Sequence, residues 1–221
     1  MVGVSELVVD VNGLRVSYGS VVVLEDVSLA AARGEVVAVM GVNGAGKSTL
    51  LSCLAGLRRP NGGSIRVLGG PPRDTADYWR RVVLVADLPT WYPGLTVREH
   101  IELVRMTSAP ADGWCLDPDE LIDAFALTSR ADAVPLTLSS GQRQRLSLAC
   151  ALARPSDLLL LDEPEQSLDA GFRKQLASLL RESYAPSGAT VVMATHDLEF
   201  AEVAGARRIL IEDGSATEAT T

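Results

Sequence analysis

The chain has 221 residues, of which 47% are hydrophobic, so it is long enough to bury a substantial core in an α/β domain. Its formal net charge of −8 argues against nucleic acid as a partner, because phosphate backbones select basic surfaces. No apolar run approaches the roughly 20 residues that span a bilayer, and the first residues lack the basic segment of a signal peptide, so we expect a cytosolic protein.

The N-terminal segment has the alternating pattern of β-strands. Residues 7–27 form three runs that read L-V-V-D-V, L-R-V-S-Y and V-V-V-L-E-D-V. Asn12-Gly13 predicts a hairpin turn between the first two runs, and Gly19-Ser20 separates the second run from the third. Tyr18 precedes that second break, where its aromatic face could stack on a nucleotide base. Taken alone, a strand tyrosine more often fills a core or a surface.

A buried strand, a glycine-rich turn and a helix follow one another next along the chain. The apolar residues 36–40 lead into residues 41–48, which fit the pattern G-x-x-x-x-G-K-[ST]. Leu50, Leu54 and Leu57 then recur at i, i+4 and i+7. This spacing predicts a helix that begins where the glycines end.

This strand–turn–helix segment has the features of a phosphate-binding cradle. The glycines let backbone N–H groups point inward, and the helix N-terminus adds its positive dipole. Lys47 would reach the β- and γ-phosphates, and the Ser48 hydroxyl would ligate Mg²⁺. The alternative is a glycine-rich turn with a lysine placed there by chance, and the flanking strand and helix argue against it. The sequence therefore predicts a protein that binds a nucleoside triphosphate.

Two further strands and a loop follow the cradle. Residues 64–68 alternate as a strand, and residues 82–85 form a short apolar run that fits a buried parallel strand. Residues 87–94 form a loop that is rich in proline and aromatic residues.

The chain then takes on helical spacing. Thr96 with Glu99 is a capping box, Asp117 and Pro118 start a second helix, and Leu138 precedes a third. We therefore expect a helical subdomain inserted in the catalytic core. Its boundaries within a single domain of residues 1–221 are about 87–153, with the core at about 1–86 and 154–221.

The last part of the chain returns to the sheet. Residues 158–161 predict a strand that ends in two acids, and residues 190–195 predict a buried strand that ends at His196. Residues 208–211 predict the last strand. The tail from Ser215 is small and polar, so we expect it to fray.

The two acids at the end of the strand 158–161 have the pattern of carboxylates delivered beside a phosphate site. Asp162 would hold the Mg²⁺ shell, and Glu163 would polarise the attacking water. A helix start with Pro164 is the alternative. The phosphate-binding cradle upstream favours the catalytic interpretation.

The order of the motifs resembles one family. G-V-N-G-A-G-K-S-T, L-S-S-G-Q, L-L-L-L-D-E-P, S-L-D and T-H-D follow one another as in the nucleotide-binding subunit of ABC transporters, from Tyr18 to about residue 214. The phosphate loop alone is shared by many NTPases, but L-S-S-G-Q upstream of the D-E-P strand is specific. The resemblance implies an α/β fold, a P-loop NTPase core with a mostly parallel central sheet, an N-terminal antiparallel β subdomain and an inserted α-helical subdomain.

The resemblance also assigns the site residues. The catalytic residues would be Glu163, the switch histidine His196, and Lys47. The Mg²⁺ ligands would be Ser48, Asp162 and Asp87. Contacts to ATP would come from the phosphate loop, the signature segment and the aromatic that stacks on adenine: Gly41, Asn43, Gly44, Ala45, Gly46, Lys47, Ser48, Thr49, Ser139, Gly141, Gln142 and Tyr18.

A head-to-tail pair of subunits that sandwiches two ATP molecules is a further implication of the resemblance. Ser139 and Gly141 would then contact the γ-phosphate that the other subunit's phosphate loop holds, which places a helix N-terminus against an anion. Residues 167–169 match the segment that links the two sites. The partner would be a second copy or a related ATPase subunit.

The sequence departs from the family pattern at several positions. Asp87 stands where glutamine is usual, and a carboxylate there is shorter and adds charge, which puts coupling to the transporter in more doubt than the chemistry. Ser140 replaces the usual first glycine of the signature. Glu165-Gln166 stand where threonine and a small or polar residue are usual, so an acid lies beside the catalytic one. Because Glu163 is present, we expect a competent ATPase.

Residues 87–94 are predicted to dock a membrane permease. Leu88, Pro89, Trp91, Tyr92 and Pro93 place apolar bulk in a connecting loop, where exposed bulk often marks an interaction site. The alternative is that Trp91 and Tyr92 fold back over the seam between the subdomains.

His100 has no motif around it, and we expect a solvated helix residue.

The function that the resemblance implies is an ATPase subunit that drives a separately encoded permease from the inner face of the cell membrane. The chain ends soon after its last core strand, without the C-terminal regulatory domain of some importer subunits, which weakly favours export. Two alternatives stay open: a soluble ABC ATPase of an assembly or repair machine, and a regulatory partner that hydrolyses ATP poorly.

Overall fold

The computed structural model describes residues 6–86, 91–108 and 117–218. These residues build a nine-stranded sheet in the order β4-β1-β2-β9-β8-β3-β7-β6-β5. The strands are β1 (Leu7–Tyr18), β2 (Val21–Ala32), β3 (Val36–Met40), β4 (Gly62–Val67), β5 (Val82–Val85), β6 (Leu158–Asp162), β7 (Thr190–Ala194), β8 (Arg207–Glu212) and β9 (Ser215–Glu218). The helices are α1 (Lys47–Leu54), α2 (Ala76–Arg81), α3 (Val97–Thr107), α4 (Pro118–Ala124), α5 (Ser140–Leu152), α6 (Ala170–Leu179) and α7 (Leu198–Val203).

The parallel half of the sheet contains β8, β3, β7, β6 and β5, each parallel to its neighbour. Side chains of β3 alternate between two cores. Val36 and Ala38 join the core that holds α3 to α6, while Val37 and Val39 join the core that holds α1. Burial on both faces explains why β3, β5, β6 and β7 are nearly continuous apolar runs rather than alternating ones. None of the helices in the described ranges has the length and apolar character that a bilayer crossing requires.

The antiparallel half of the sheet contains β4, β1 and β2. The predicted turn at Asn12-Gly13 is wrong, because these residues lie inside β1 and the hairpin closes at Gly19-Ser20 instead. The register of β1 against β2 shifts between Val11 and Leu14, and Gly13 has a φ of 57° there. Gly13 thus forms a β-bulge within β1. The strand continues through it because β1 pairs with β2 on one side and with β4 on the other.

The C-terminal tail also differs from the prediction. Instead of fraying, Ser215–Glu218 forms β9, which pairs antiparallel with β8 and meets β2 at Asp26. The Glu25 N–H donates to the Gly214 carbonyl at 2.7 Å. The tail joins the two halves of the sheet because both neighbouring strands present backbone groups that need partners.

The helices mostly follow the sequence pattern. Capping boxes at Thr96, Asp117 and Ser139 start α3, α4 and α5. The box at Thr96 and the three helix starts were predicted, whereas the boxes at Asp117 and Ser139 were not. The first helix is shorter than predicted, since α1 ends at Leu54 and Leu57 is 56% exposed. Helix α2 was not predicted. It carries the short connection from β4 to β5.

His100 is buried, so the prediction of a solvated residue is wrong. Its side chain is 4% exposed, its Nδ1 lies 2.8 Å from the Thr96 carbonyl oxygen, and its Nε2 accepts the Tyr92 N–H at 3.1 Å. The Trp91 ring packs edge-on against the imidazole with 5.4 Å between the ring centroids. A neutral imidazole with its proton on Nδ1 satisfies both contacts and holds the end of the loop against α3.

Candidate active site

The loop between β3 and α1 depends on glycine at specific positions. Gly41, Gly44 and Gly46 have φ values of 150°, 85° and 100°. A Cβ on Gly46 would lie 2.6 Å from Leu24 Cδ2, and a Cβ on Gly41 would lie 2.6 Å from the Ile211 carbonyl oxygen. The loop can therefore pack closely against β2 and β8. The Ala45 N–H donates to the Val42 carbonyl at 3.1 Å, and N–H groups on either side of it can face a ligand.

Lys47 is the first residue of α1 and is almost completely buried, with 5% of its surface exposed. Its Nζ donates to the carbonyl oxygens of Gly41 at 2.9 Å and Val42 at 3.2 Å. It also lies 3.8 Å from Glu163 Oε1. The ammonium group is thus held inside the loop, at the position where an anion would enter.

A cavity of about 490 Å³ opens over this loop. It brings together eight of the predicted site residues: Asn43, Gly44, Gly46, Lys47, Ser48, Thr49, Asp162 and Glu163. Strand β6 is separated from β3 only by β7, so the acids at its carboxyl end lie on the same side of the sheet as the phosphate loop. Ligands of open α/β sheets bind at the carboxyl ends of the parallel strands.

The donor groups around the cavity fit Mg²⁺. The Ser48 hydroxyl and the Asp162 carboxylate both line it, and Mg²⁺ prefers such oxygen ligands together with substrate phosphates and water. Within the described ranges no group of three or more His, Cys, Asp or Glu side chains could hold a metal ion. The third predicted ligand, Asp87, lies outside the described residues.

Glu163 follows β6 with a φ of 44°, an uncommon backbone conformation for a residue with a side chain. Its N–H donates to the carbonyl of Ala194, the last residue of β7, at 2.9 Å, so the end of β6 is hydrogen-bonded to β7. The carboxylate accepts a hydrogen bond from Gln166 Nε2 and lies 3.7 Å from His196 Nδ1. The strained backbone therefore aims this carboxylate between the buried ammonium of Lys47 and the exposed His196.

Glu165 is the additional acid of the D-E-P-E segment, and it is 2% exposed. Its carboxyl accepts a hydrogen bond from Thr195 Oγ1, and its Oε1 lies 3.9 Å from His196 Nδ1. Burial raises the pKa of this carboxyl above its usual range. Glu165 thus lies beneath His196 rather than in the cavity.

The signature segment forms the N-terminus of α5. Ser139 is exposed and caps the helix, with its Oγ accepting the Gln142 N–H at 3.2 Å and its own N–H donating to Gln142 Oε1 at 3.0 Å. A Cβ on Gly141 would lie 2.6 Å from the Ser167 carbonyl oxygen. Glycine at this position therefore allows α5 to pack closely against the loop after β6 that contains Ser167. Ser140 and Ser167 line the cavity itself.

Tyr18 lies at the end of the N-terminal hairpin and is 51% exposed. Sequence reasoning missed Arg58, whose guanidinium carbon lies 3.5 Å from the centroid of the Tyr18 ring. It also missed Val23 and Gln144, which line the cavity. None of these residues belongs to a motif, and their places depend on how distant segments pack.

The sequence profile of the ABC transporter family matches residues 24–166. The chain belongs to the ABC transporter family. It is 38% identical over 204 residues to the aliphatic sulfonates import ATP-binding protein SsuB of Pseudomonas fluorescens (strain Pf0-1), which covers 92% of this chain and 73% of that protein. It is 36% identical over 195 residues to the SkfA peptide export ATP-binding protein SkfE of Bacillus subtilis (strain 168), which covers 86% of this chain and 80% of that protein.

Solved structures of ABC cassettes have the same fold. An ATP-binding subunit of an ABC transporter superposes with a TM-score of 0.81 at 29% identity, over 96% of this chain and 90% of that one. The dimeric post-hydrolysis state of the cassette MJ0796 bound to ADP and Pi also gives 0.81, at 26% identity over 96% and 99%. The family resemblance, the P-loop NTPase fold and the ATPase activity expected from the sequence are thereby confirmed.

Proposed function

We propose that this ABC ATP-binding subunit hydrolyses Mg²⁺–ATP with Glu163 as the general base, in a site that a second subunit completes. The observation that carries the proposal is the cluster at the cavity. Lys47 Nζ and His196 Nδ1 lie 3.8 and 3.7 Å from the same oxygen of Glu163. A buried cation and an imidazole on either side of one carboxylate, beside a cavity that the phosphate loop lines, suit phosphoryl transfer to water.

The proposed roles follow from what each side chain touches. Lys47 would exchange the carbonyls of Gly41 and Val42 for the β- and γ-phosphate oxygens. Glu163 would accept a proton from the attacking water while Gln166 holds one carboxylate oxygen. His196 would donate a hydrogen bond to the γ-phosphate. Mg²⁺, held by Ser48 and Asp162, would neutralise charge on the phosphates when it is bound.

The second subunit would contribute its signature helix. Ser139 is exposed at the N-terminus of α5, and its hydroxyl still has a proton to donate while its oxygen caps the helix. Together with the dipole of a 13-residue helix, that donor suits a γ-phosphate held by another chain. The dimeric state of MJ0796 supports this arrangement, with either a second copy or a related ATPase subunit as partner.

A membrane permease is the proposed partner of the loop before α3, which would place the subunit on the inner face of the cell membrane. Tyr92 is 62% exposed, whereas the half-buried Trp91 packs against the core, so Tyr92 is the better candidate for a docking contact. Leu88 and Pro89 lie outside the described residues. The relatives include an importer and an exporter by name, so the preference for export stays a prediction from sequence.

Replacement of the proposed base tests the proposal. Glu163→Gln keeps the shape of the side chain but removes its basicity, so we expect a roughly 100- to 10,000-fold loss of kcat with ATP affinity retained. Glu182→Gln, an exposed acid outside the cavity lining, is the matched control and should keep wild-type turnover. Phosphate release and calorimetric ATP binding are measured for both. Undiminished turnover in Glu163→Gln would overturn the assignment.

A further inference from the structure

One face of the Tyr18 ring is covered by an arginine. The guanidinium carbon of Arg58 lies 3.5 Å from the ring centroid, a distance at which a cation is attracted by the π-electron face. The ring nevertheless remains 51% exposed. An aromatic ring has two faces, so a guanidinium on one of them leaves the other open to a second flat group.

The same arginine also holds the backbone beside Tyr18. Arg58 Nη2 donates to the Ser17 carbonyl at 2.8 Å. The following turn adds two more contacts to the strand: Asn61 Oδ1 accepts the Ser17 N–H at 2.7 Å, and the Asn61 N–H donates to the Arg15 carbonyl at 2.8 Å. Both backbone groups of Ser17, the residue before Tyr18, are thus hydrogen-bonded to the segment that contains Arg58 and Asn61.

The guanidinium is partly withdrawn from water. Arg58 Nε is buried, and no hydrogen-bond partner for it exists among the described residues. A cation over an aromatic ring is held more strongly when it is desolvated. The attraction between this guanidinium and the Tyr18 ring is therefore stronger than that of a fully solvated arginine would be.

We propose that Arg58 is a positioning residue for the nucleobase, which supports the Tyr18 ring from behind so that its open face stacks on adenine. The inference rests on the proposed ATP-binding function and on the adenine-stacking role that the family resemblance assigns to Tyr18. The cation also draws electron density from the phenol ring, which favours stacking on an electron-rich purine. The ring is oriented before the nucleotide arrives, so less conformational entropy is lost on binding.

The position of Arg58 links the two ends of the nucleotide. Lys47, which would contact the phosphates, is the first residue of helix α1, and Arg58 lies four residues after the end of that helix at Leu54. The Arg58 N–H donates to the Ser52 carbonyl at 3.1 Å, which ties this turn to the helix. The segment from Lys47 to Arg58 thereby connects the phosphate contacts with the proposed base contact.

The test compares a ligand that has a base with one that lacks it. Calorimetry measures the Kd of Mg²⁺–ADP and of Mg²⁺–pyrophosphate for wild type, Arg58→Met, Tyr18→Ala and the double variant. Arg59→Met, which removes the neighbouring exposed arginine, is the control. Neither ligand has a γ-phosphate, so hydrolysis does not interfere.

We expect Arg58→Met to raise the Kd of ADP roughly three- to tenfold and to leave that of pyrophosphate unchanged. Tyr18→Ala should raise the Kd of ADP roughly five- to 150-fold, and adding Arg58→Met to it should have no further effect. Arg59→Met should change neither ligand.

Two outcomes would overturn the proposal for Arg58 alone. One is unchanged ADP binding in Arg58→Met while Tyr18→Ala weakens it. The other is equal weakening of ADP and pyrophosphate, which would indicate general damage to the site. Unchanged ADP binding in Tyr18→Ala would instead refute the stacking role of Tyr18, and the inference for Arg58 would fail with it.

Discussion

Alanine in place of Gly46 should distort the phosphate loop far more than alanine in place of Gly44. Both glycines have positive φ, so each substitution meets the same backbone penalty. At Gly46 the new methyl would also lie 2.6 Å from Leu24 Cδ2 and 3.2 Å from the Val23 carbonyl oxygen. A methyl on Gly44 would have no atom of the described residues within 4 Å, apart from its own chain neighbours.

The difference between the two variants can be estimated. Positive φ costs alanine about 1–2 kcal/mol. Overpacking at Gly46 adds about 1–3 kcal/mol, because Leu24 is fully buried and cannot move aside into solvent. We therefore expect Gly46→Ala to lose about 2–5 kcal/mol of unfolding free energy and Gly44→Ala about 1–2 kcal/mol.

Urea denaturation without nucleotide measures this difference. With an m-value of about 2 kcal/mol/M, the midpoint of Gly46→Ala should lie roughly 0.5–1.5 M below that of Gly44→Ala. Nucleotide is omitted because Gly44 lines the cavity and a methyl group there would contact the ligand directly. Equal midpoints for the two variants would refute the close approach of the loop to β2.

Other variants probe separate parts of the structure. Lys47→Ala should weaken ATP binding roughly ten- to hundredfold by calorimetry, because it removes the one buried cation that lines the cavity in the described residues. Burial opposes the charged form of Asp157, but hydrogen bonds from two arginines, Arg81 among them at 2.7 Å, outweigh it and lower its pKa. Asp157→Asn should therefore cost about 1 kcal/mol of unfolding free energy above about pH 4, a loss that disappears as the pH falls further. Trp91→Ala should lower thermal stability, whereas Tyr92→Ala should weaken binding to the permease with stability and basal turnover retained.

Each of these predictions has a control or a contradicting result. Lys174→Ala removes an exposed lysine that pairs with Glu199 and should keep ATP affinity. A deficit of Asp157→Asn that stays constant from pH 7 to pH 3 would show that its charge is not responsible. Retained permease binding in Tyr92→Ala would contradict the docking role, and unchanged melting of Trp91→Ala would contradict its packing.

The parts of the fold that could be predicted are those specified by local spacing. The phosphate loop, the two acids at the end of β6 and the helix start at Ser139 each depend on residues within one short segment. Backbone sterics, helix caps and the alternation of a buried strand act over such short distances. The motifs therefore identified eight of the residues that line the cavity before any tertiary contact was known.

The parts that could not be predicted depend on contacts between distant segments. Asn12-Gly13 has the composition of a turn, but pairing on both sides of β1 makes it a bulge. The polar tail becomes a strand because β8 and β2 offer backbone partners. His100 is buried by a loop eight residues away, and Arg58 reaches Tyr18 across 40 positions of sequence. No local pattern encodes such pairs.

The mass of Glu163→Gln in solution tests the two-subunit site most directly. This variant should retain ATP, and in the proposed sandwich each site is completed by the partner's Ser139. Light scattering should therefore show the monomer mass without nucleotide and twice that mass with Mg²⁺–ATP. Mg²⁺–ADP should leave the monomer unchanged, because the proposed contact of the partner is with the γ-phosphate, which ADP lacks. A mass that stays monomeric with ATP, or a dimer that forms equally well without nucleotide, would contradict a site that ATP and the second subunit complete together.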